Sequence, residues 1–185
     1  TVIRSFFRHG RWLRKLYYLA TVAFEMKKRQ KFQLDKLCWR MISDGGEYPK
    51  EEYDLAIAYL EGGATYFTAD HVKARKKAAF VHIDYGNAGY SRRMDQDCYA
   101  NFDRIFAVSD EVRANFLHVY PEWEEKTMVF HNIVNRERIL SLADLPGGFN
   151  DSFDGIRLLT VGRLTYQKAY DIAVSAMKKI KDAGY

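Results

Sequence analysis

A chain of 185 residues that is 48% hydrophobic and 29% charged has room for one domain, or for a domain and part of another, and is too apolar to stay disordered. It contains no run of 18 apolar residues, so no spanning helix is expected, and no signal-peptide pattern opens it. The net charge of +5 is uneven: residues 1–40 hold 11 Lys/Arg against two acids, a local +9, and the remainder sums to −4.

The basic end is also aromatic. Leu13, Leu16, Tyr17, Ala20, Ala23 and Phe24 recur at helical spacing and predict an amphipathic helix. Such a helix is either an ordinary packed helix with a solvated cationic face or, through residues 4–31, a contact with an anionic membrane surface. No nucleic-acid partner is expected, because no binding motif accompanies the charge. Cys38 and Cys98 lie far apart without metal-ligand spacing and read as free, packed thiols in a reducing cytoplasm.

From residue 53 the pattern turns regular. Apolar runs at 53–60, 78–83, 104–109, 127–130 and 156–161 are short and continuous, as in strands buried on both faces. Helix-compatible segments at about 64–76, 91–102, 110–119 and 134–143 separate most of them. The alternation predicts an α/β protein with a Rossmann-like, doubly wound parallel sheet. Ser109 followed by Asp110 and Glu111 reads as a helix N-cap with acids in the first turn. Residues 1–145 are assigned to a first domain, 146–155 to a Pro- and Gly-containing linker, and 156–185 to the start of a second domain. Residues 1–50 carry helix but neither an opening strand nor a glycine-rich turn, so the sheet is expected to be incomplete at both ends.

Residues 156–171, IRLLTVGRLTYQKAYD, read as strand, cationic loop and helix start. Gly162 lets a backbone approach closely, and Arg163 and Lys168 supply charge that a diphosphate would need. In such sheets ligands sit beyond the carboxyl ends of the strands. There the sequence places Gly62 after the first run, His82 and Asp84 after the second, Ser109 after the third, and His131 and Asn132 after the fourth. His82 is either a ligand for a sugar hydroxyl or a satisfied core histidine. Asp84 orients a ligand or caps the next turn. His131 is expected to pack near the interdomain crossing, and His9, His71 and His118 to be surface groups. Asp95-Gln96-Asp97 reads as a solvated helix face rather than a metal pair. Asn150-Asp151-Ser152 matches a glycosylation acceptor that a cytoplasmic setting leaves unused. No Ser-His-Asp set, GxSxG elbow or post-strand GxGxxG is present.

VGRLTYQKAYDIAVSAM resembles the opening of the second domain in retaining glycosyltransferases of family 4, the group 1 transferases with the GT-B fold. YDLAIAYLEG, FVHIDY, FDRIFAVSDEVRANFL and VFHNIV resemble its first domain, in order, so the likeness runs from about Tyr53 to the end. The resemblance implies two Rossmann-like domains, the first binding mostly the acceptor and the second a nucleotide-diphosphate sugar. It makes His82 the catalytic histidine that reaches the donor sugar, and Gly162, Arg163 and Lys168 the donor diphosphate site. Gly62, Asp84, Ser109 and Asn132 become cleft-lining candidates. It implies hexosyl transfer to a glycan or lipid-linked acceptor in surface polysaccharide or glycolipid synthesis. Arg and Lys would stand in for a metal, so neither metal nor cofactor is expected.

Two departures qualify the likeness. Ala169 stands where the family has glycine, and the family's glycine-rich first loop and paired-glutamate donor site are absent. The chain alone is therefore expected to be inactive. A non-catalytic phosphate- or sugar-binding module and a GT-B sugar-nucleotide epimerase remain as alternative readings.

Overall fold

The structure, a computed structural model, describes residues 12–29, 34–149 and 151–184. His9, Asn150 and the outer parts of the 4–31 segment lie outside the described residues. The chain divides between Val134 and Asn135 into two compact units.

The first unit contains helices α1 (Trp12–Arg29) and α2 (Leu34–Asp44), then a four-stranded sheet with its connections. These are β1 (Glu52–Ala58), α3 (Gly63–His71), β2 (Lys73–Val81), α4 (Arg92–Asp95), β3 (Arg104–Ala107), α5 (Asp110–Val119) and β4 (Thr127–Val129). All neighbouring strands run parallel, in the order β1-β2-β3-β4. Because crossovers between parallel strands are right-handed, an order that never reverses brings successive connections to one face. The core sits on that face, where Tyr66 and Ala69 of α3 and Phe116 of α5 meet Ala58, Ala79, Val81 and Ile105 of the strands.

The other face is open among the described residues. Leu55, Ile57, Tyr59, Met128 and Phe130 are exposed there. Tyr59, Phe80, Phe106 and Phe130 form a row of rings across the strands, with successive centroids 5.0, 5.1 and 5.7 Å apart. The sheet is thus parallel and helix-flanked, as expected. The doubly wound arrangement is not reached, because no described strand reverses the order.

Local chemistry sets the elements. Ser109 Oγ accepts the Val112 N–H at 3.2 Å and caps α5, whose first turn carries Asp110 and Glu111 and whose last turn carries His118. The helix expected over 91–102 breaks after Asp95. Gln96 and Asp97 both adopt left-handed backbone (φ 49° and 57°), and the chain restarts as a 3₁₀ turn at Cys98–Asn101.

Of the two readings of the basic helix, the structure departs from the packed one. The apolar stripe of α1 faces outward: Leu13 is 85% exposed, and Leu16, Tyr17 and Phe24 are each 55% exposed. The buried side is instead Lys15, Tyr18, Thr21 and Val22. Polar anchors decide this orientation. Arg14 ion-pairs with Asp70 and donates to Gln96 Oε1 at 3.3 Å, while Tyr18 and Val22 pack on Met94. No described helix is long and apolar enough to cross a membrane.

The second unit holds α6 (Arg136–Ala143), a 3₁₀ turn at Tyr166–Lys168 and α7 (Tyr170–Asp182). The expected linker, 146–155, lies within this unit. The strand expected at 156–161 does not form: its residues make no ladder, and Ile156, Leu158, Leu159 and Val161 are 68–90% exposed. A strand persists only where a neighbour takes its N–H and C=O groups, and no other strand is described in this unit.

Candidate functional site

Parallel strands end on one edge, so the residues that follow them gather there. Ala58 pairs with Ala79, Val81 with Ala107, and Ala107 with Val129. His82 therefore stands directly beyond the β2 ladder, between the ends of β1 and β3. Its backbone N–H donates to Glu61 Oε1, from the turn after β1. Glu61 is buried, and the same oxygen lies 4.0 Å from His82 Nδ1, too far for a hydrogen bond.

Nδ1 is itself buried and has no hydrogen-bond partner among the described residues, although 18% of the His82 side chain remains exposed. The Tyr59 ring lies 4.9 Å from the imidazole and the Phe80 ring 5.9 Å from it. Leaving a buried polar atom unpaired costs about 1–3 kcal/mol. The arrangement is an imidazole packed beside two neighbouring aromatic rings and near a buried carboxylate, at the sheet edge. It can donate or accept a hydrogen bond to a hydroxyl.

The remaining strand-end candidates have local duties. Asp84 accepts from the Asn87 N–H at 3.3 Å and from Asn87 Nδ2 at 2.6 Å, closing a turn. Ser109 caps α5. Asn132 is exposed in the coil after β4. Gly62 has φ +77°, and a Cβ there would lie 3.0 Å from Tyr90 Oη and 3.1 Å from the Trp39 ring, so it serves close packing at the start of α3. His131, expected to pack, is exposed and faces the Val108 carbonyl at 3.2 Å from Nδ1.

Asp95 is the feature furthest from expectation. It is fully buried, not solvated. Its carboxylate accepts the hydroxyls of Tyr66 and Tyr85, each at 2.7 Å, and of Tyr120. Arg40 donates to the Asp95 backbone carbonyl, and its guanidinium lies 4.0 Å above the Tyr66 ring. Burial pushes the Asp95 carboxyl above the ordinary carboxylate range, opposed by the three hydroxyl donors and Arg40. Burial likewise raises Tyr66, Tyr85 and Tyr120, which keeps them protonated as donors. Through Tyr85 the cluster anchors the segment that begins at His82. A polar triplet next to a helix break, not an acid-x-acid count, was the available signal.

His71, expected at the surface, is buried too. Its Nε2 lies 2.9 Å from Asp44 Oδ1, and Tyr48 stacks on its ring at 4.1 Å. Asp44, Asp70 and His71 bring potential metal ligands within 4.8 Å of one another. Arg14 and Arg40 both ion-pair with Asp70 Oδ2, so positive charge is already supplied there and the group ties α1 and α2 to α3.

In the second unit, Gly162, Arg163 and Lys168 lie in one folded loop. The Thr165 N–H donates to the Arg163 carbonyl at 2.8 Å, and the Lys168 N–H to that of Thr165 at 2.9 Å. A Cβ on Gly162 would fall 2.8 Å from Tyr170 Oη and 3.7 Å from the Lys168 side chain, so a larger residue there would have to push the Tyr170 hydroxyl aside. Arg163 and Lys168 are exposed. Ala169 takes φ 50°, ψ 40°, the left-handed conformation for which glycine is the unstrained choice. No protein-family model matches the chain, and no curated protein does so.

Proposed function

We propose that this chain forms part of a retaining glycosyltransferase of the GT-B type, moving a hexosyl group from a nucleotide-diphosphate sugar to a glycan or lipid-linked acceptor. The observation that carries the reading is His82: an imidazole at the carboxyl edge of a parallel sheet, with a buried ring nitrogen unpartnered beside Glu61. In the proposed reaction His82 hydrogen-bonds a hydroxyl of the donor sugar. Arg163 and Lys168 take up charge as the nucleoside diphosphate departs, the electrostatic role expected of donors aimed at a leaving group. Gly162 would let the backbone approach the diphosphate.

The test is transfer by the natural gene product that contains this chain, offered a panel of nucleotide sugars with lipid and glycan acceptors. Release of nucleoside diphosphate coupled to a product of retained anomeric configuration supports the reading. Binding of nucleotide sugars with no transfer from any donor overturns it in favour of a binding module. The 185-residue chain by itself is expected to show negligible transfer, and robust transfer by it would sink that expectation.

A further inference from the structure

His82 and Glu61 meet just outside the strand ladders. The last pair between β1 and β2 is Ala58 with Ala79, and the last between β2 and β3 is Val81 with Ala107. The His82 N–H falls beyond both, and Glu61 reaches across from the turn after β1 to accept it. That turn is tied on either side of Glu61. The Thr65 hydroxyl donates to the Leu60 carbonyl at 2.9 Å, and the Tyr66 N–H donates to the Gly62 carbonyl at 2.9 Å. Glu61 is therefore held where it stands.

Only 6% of the Glu61 side chain is exposed. Burying a carboxylate is costly, and a neutral oxygen would serve a backbone N–H equally well. What a carboxylate adds is charge, which the start of α3 at Gly63 favours. His82 Nδ1 lies 4.0 Å from the Oε1 that takes the N–H. This is beyond hydrogen-bond reach but within the range at which a charge acts in a poorly hydrated setting. In one tautomer of the neutral imidazole, Nδ1 carries the proton and turns its positive end to that charge. In the other, Nδ1 presents a lone pair, which the charge repels. Nδ1 has no hydrogen-bond partner among the described residues that would set the tautomer otherwise.

We propose that Glu61 is a positioning residue for His82: its charge holds the imidazole proton on Nδ1 and leaves Nε2 as an acceptor. The class of ligand follows from that. Nε2 takes a group that brings its own hydrogen, such as a sugar hydroxyl, and not a carbonyl or phosphate oxygen. That a donor sugar supplies this hydroxyl rests on the transferase reading; the tautomer does not.

Nitrogen-15 NMR of the labelled 185-residue chain tests it. Long-range correlations between ring protons and ring nitrogens report which nitrogen is protonated, and His82→Gln identifies the His82 signals by their loss. At the alkaline end of a pH titration, where the ring is neutral, the proton should sit mainly on Nδ1. Glu61→Gln keeps an oxygen for the His82 N–H and removes the charge. It should shift the tautomer ratio toward Nε2–H on the order of tenfold. Exchange of the His82 backbone amide should stay slow in Glu61→Gln and quicken in Glu61→Ala, which separates the charge from the tie to the backbone. A proton mainly on Nε2 in the wild type, or a ratio unmoved by Glu61→Gln, would overturn the proposal. Should Glu61→Gln fail to fold, the wild-type spectrum decides alone. The spectra need no substrate, so their outcome and the outcome of the transfer assay are separate results.

Discussion

Replacing Asp95 by alanine removes the acceptor of three buried phenolic hydroxyls. Tyr66, Tyr85 and Tyr120 would be left without their acid partner, while Arg40 keeps its ion pair with Asp70. A hydrogen bond to a charged group contributes about 1.5–3 kcal/mol, so three would sum to roughly 4.5–9 kcal/mol. The carboxylate's own desolvation offsets part of this, and effects within one network do not add. The expected loss is about 3–5 kcal/mol, the range found on breaking buried charge networks. Since domains are stable by only about 5–15 kcal/mol, Asp95→Ala should leave the first unit marginal. Urea unfolding followed by circular dichroism measures it, and amide exchange over residues 82–85 should quicken as Tyr85 loses its anchor. A loss below about 1 kcal/mol with an unchanged denaturant slope would refute the reasoning.

Linkage gives a second handle on the same residue. Burial raises the folded-state value of Asp95 above the unfolded one, so the folded state holds this proton more tightly. Its contribution to stability is largest below the unfolded value near 3.9 and is lost as pH rises through the folded value. Wild-type protein should therefore gain stability relative to Asp95→Asn as pH falls from about 7 to about 4. A constant difference between the two would contradict the raised direction.

Other outcomes follow from single residues. Ala169→Gly relieves left-handed strain of about 1–2 kcal/mol against glycine's extra entropy of about 0.5–1 kcal/mol. It should slow exchange of the Ala173 amide, which donates to the Ala169 carbonyl at 3.1 Å. Gly62→Ala meets both a positive φ and the Tyr90 and Trp39 contacts, and should lower thermal stability by at least about 2 kcal/mol. In the enzyme that contains the chain, Arg163→Ala should reduce donor use by about 2–3 kcal/mol in kcat/KM, as for a lost charge-assisted contact.

What could be read in the sequence was mostly what local chemistry dictates. The helix at 110–119 was marked at its start by Ser109 and its two acids, and the structure draws it over the same residues. Four of the apolar runs became parallel strands because each found a neighbour. The run at 156–161 looks the same in sequence and has no such neighbour, so pairing, which no single segment encodes, decided against it. The α1 stripe left its direction open for a related reason. Spacing shows that a helix has two faces, but which one turns inward depended on Arg14 reaching Asp70, 56 positions away. Asp95 and His71 looked like solvent-facing groups because acids and histidines usually are. Their partners, Tyr66, Tyr85 and Tyr120 for one and Asp44 for the other, come from distant segments. Glu61 was visible only as one polar residue after a strand, and its approach to His82 required the β1–β2 register.

The role proposed for His82 is to hydrogen-bond a hydroxyl of the donor sugar. The direct measurement is kcat/KM for the nucleotide sugar in the enzyme containing this chain, wild type against His82→Ala. A loss on the order of 10²-fold, about 2.7 kcal/mol, with folding preserved is the predicted result. Transfer by His82→Ala at the wild-type rate would contradict it.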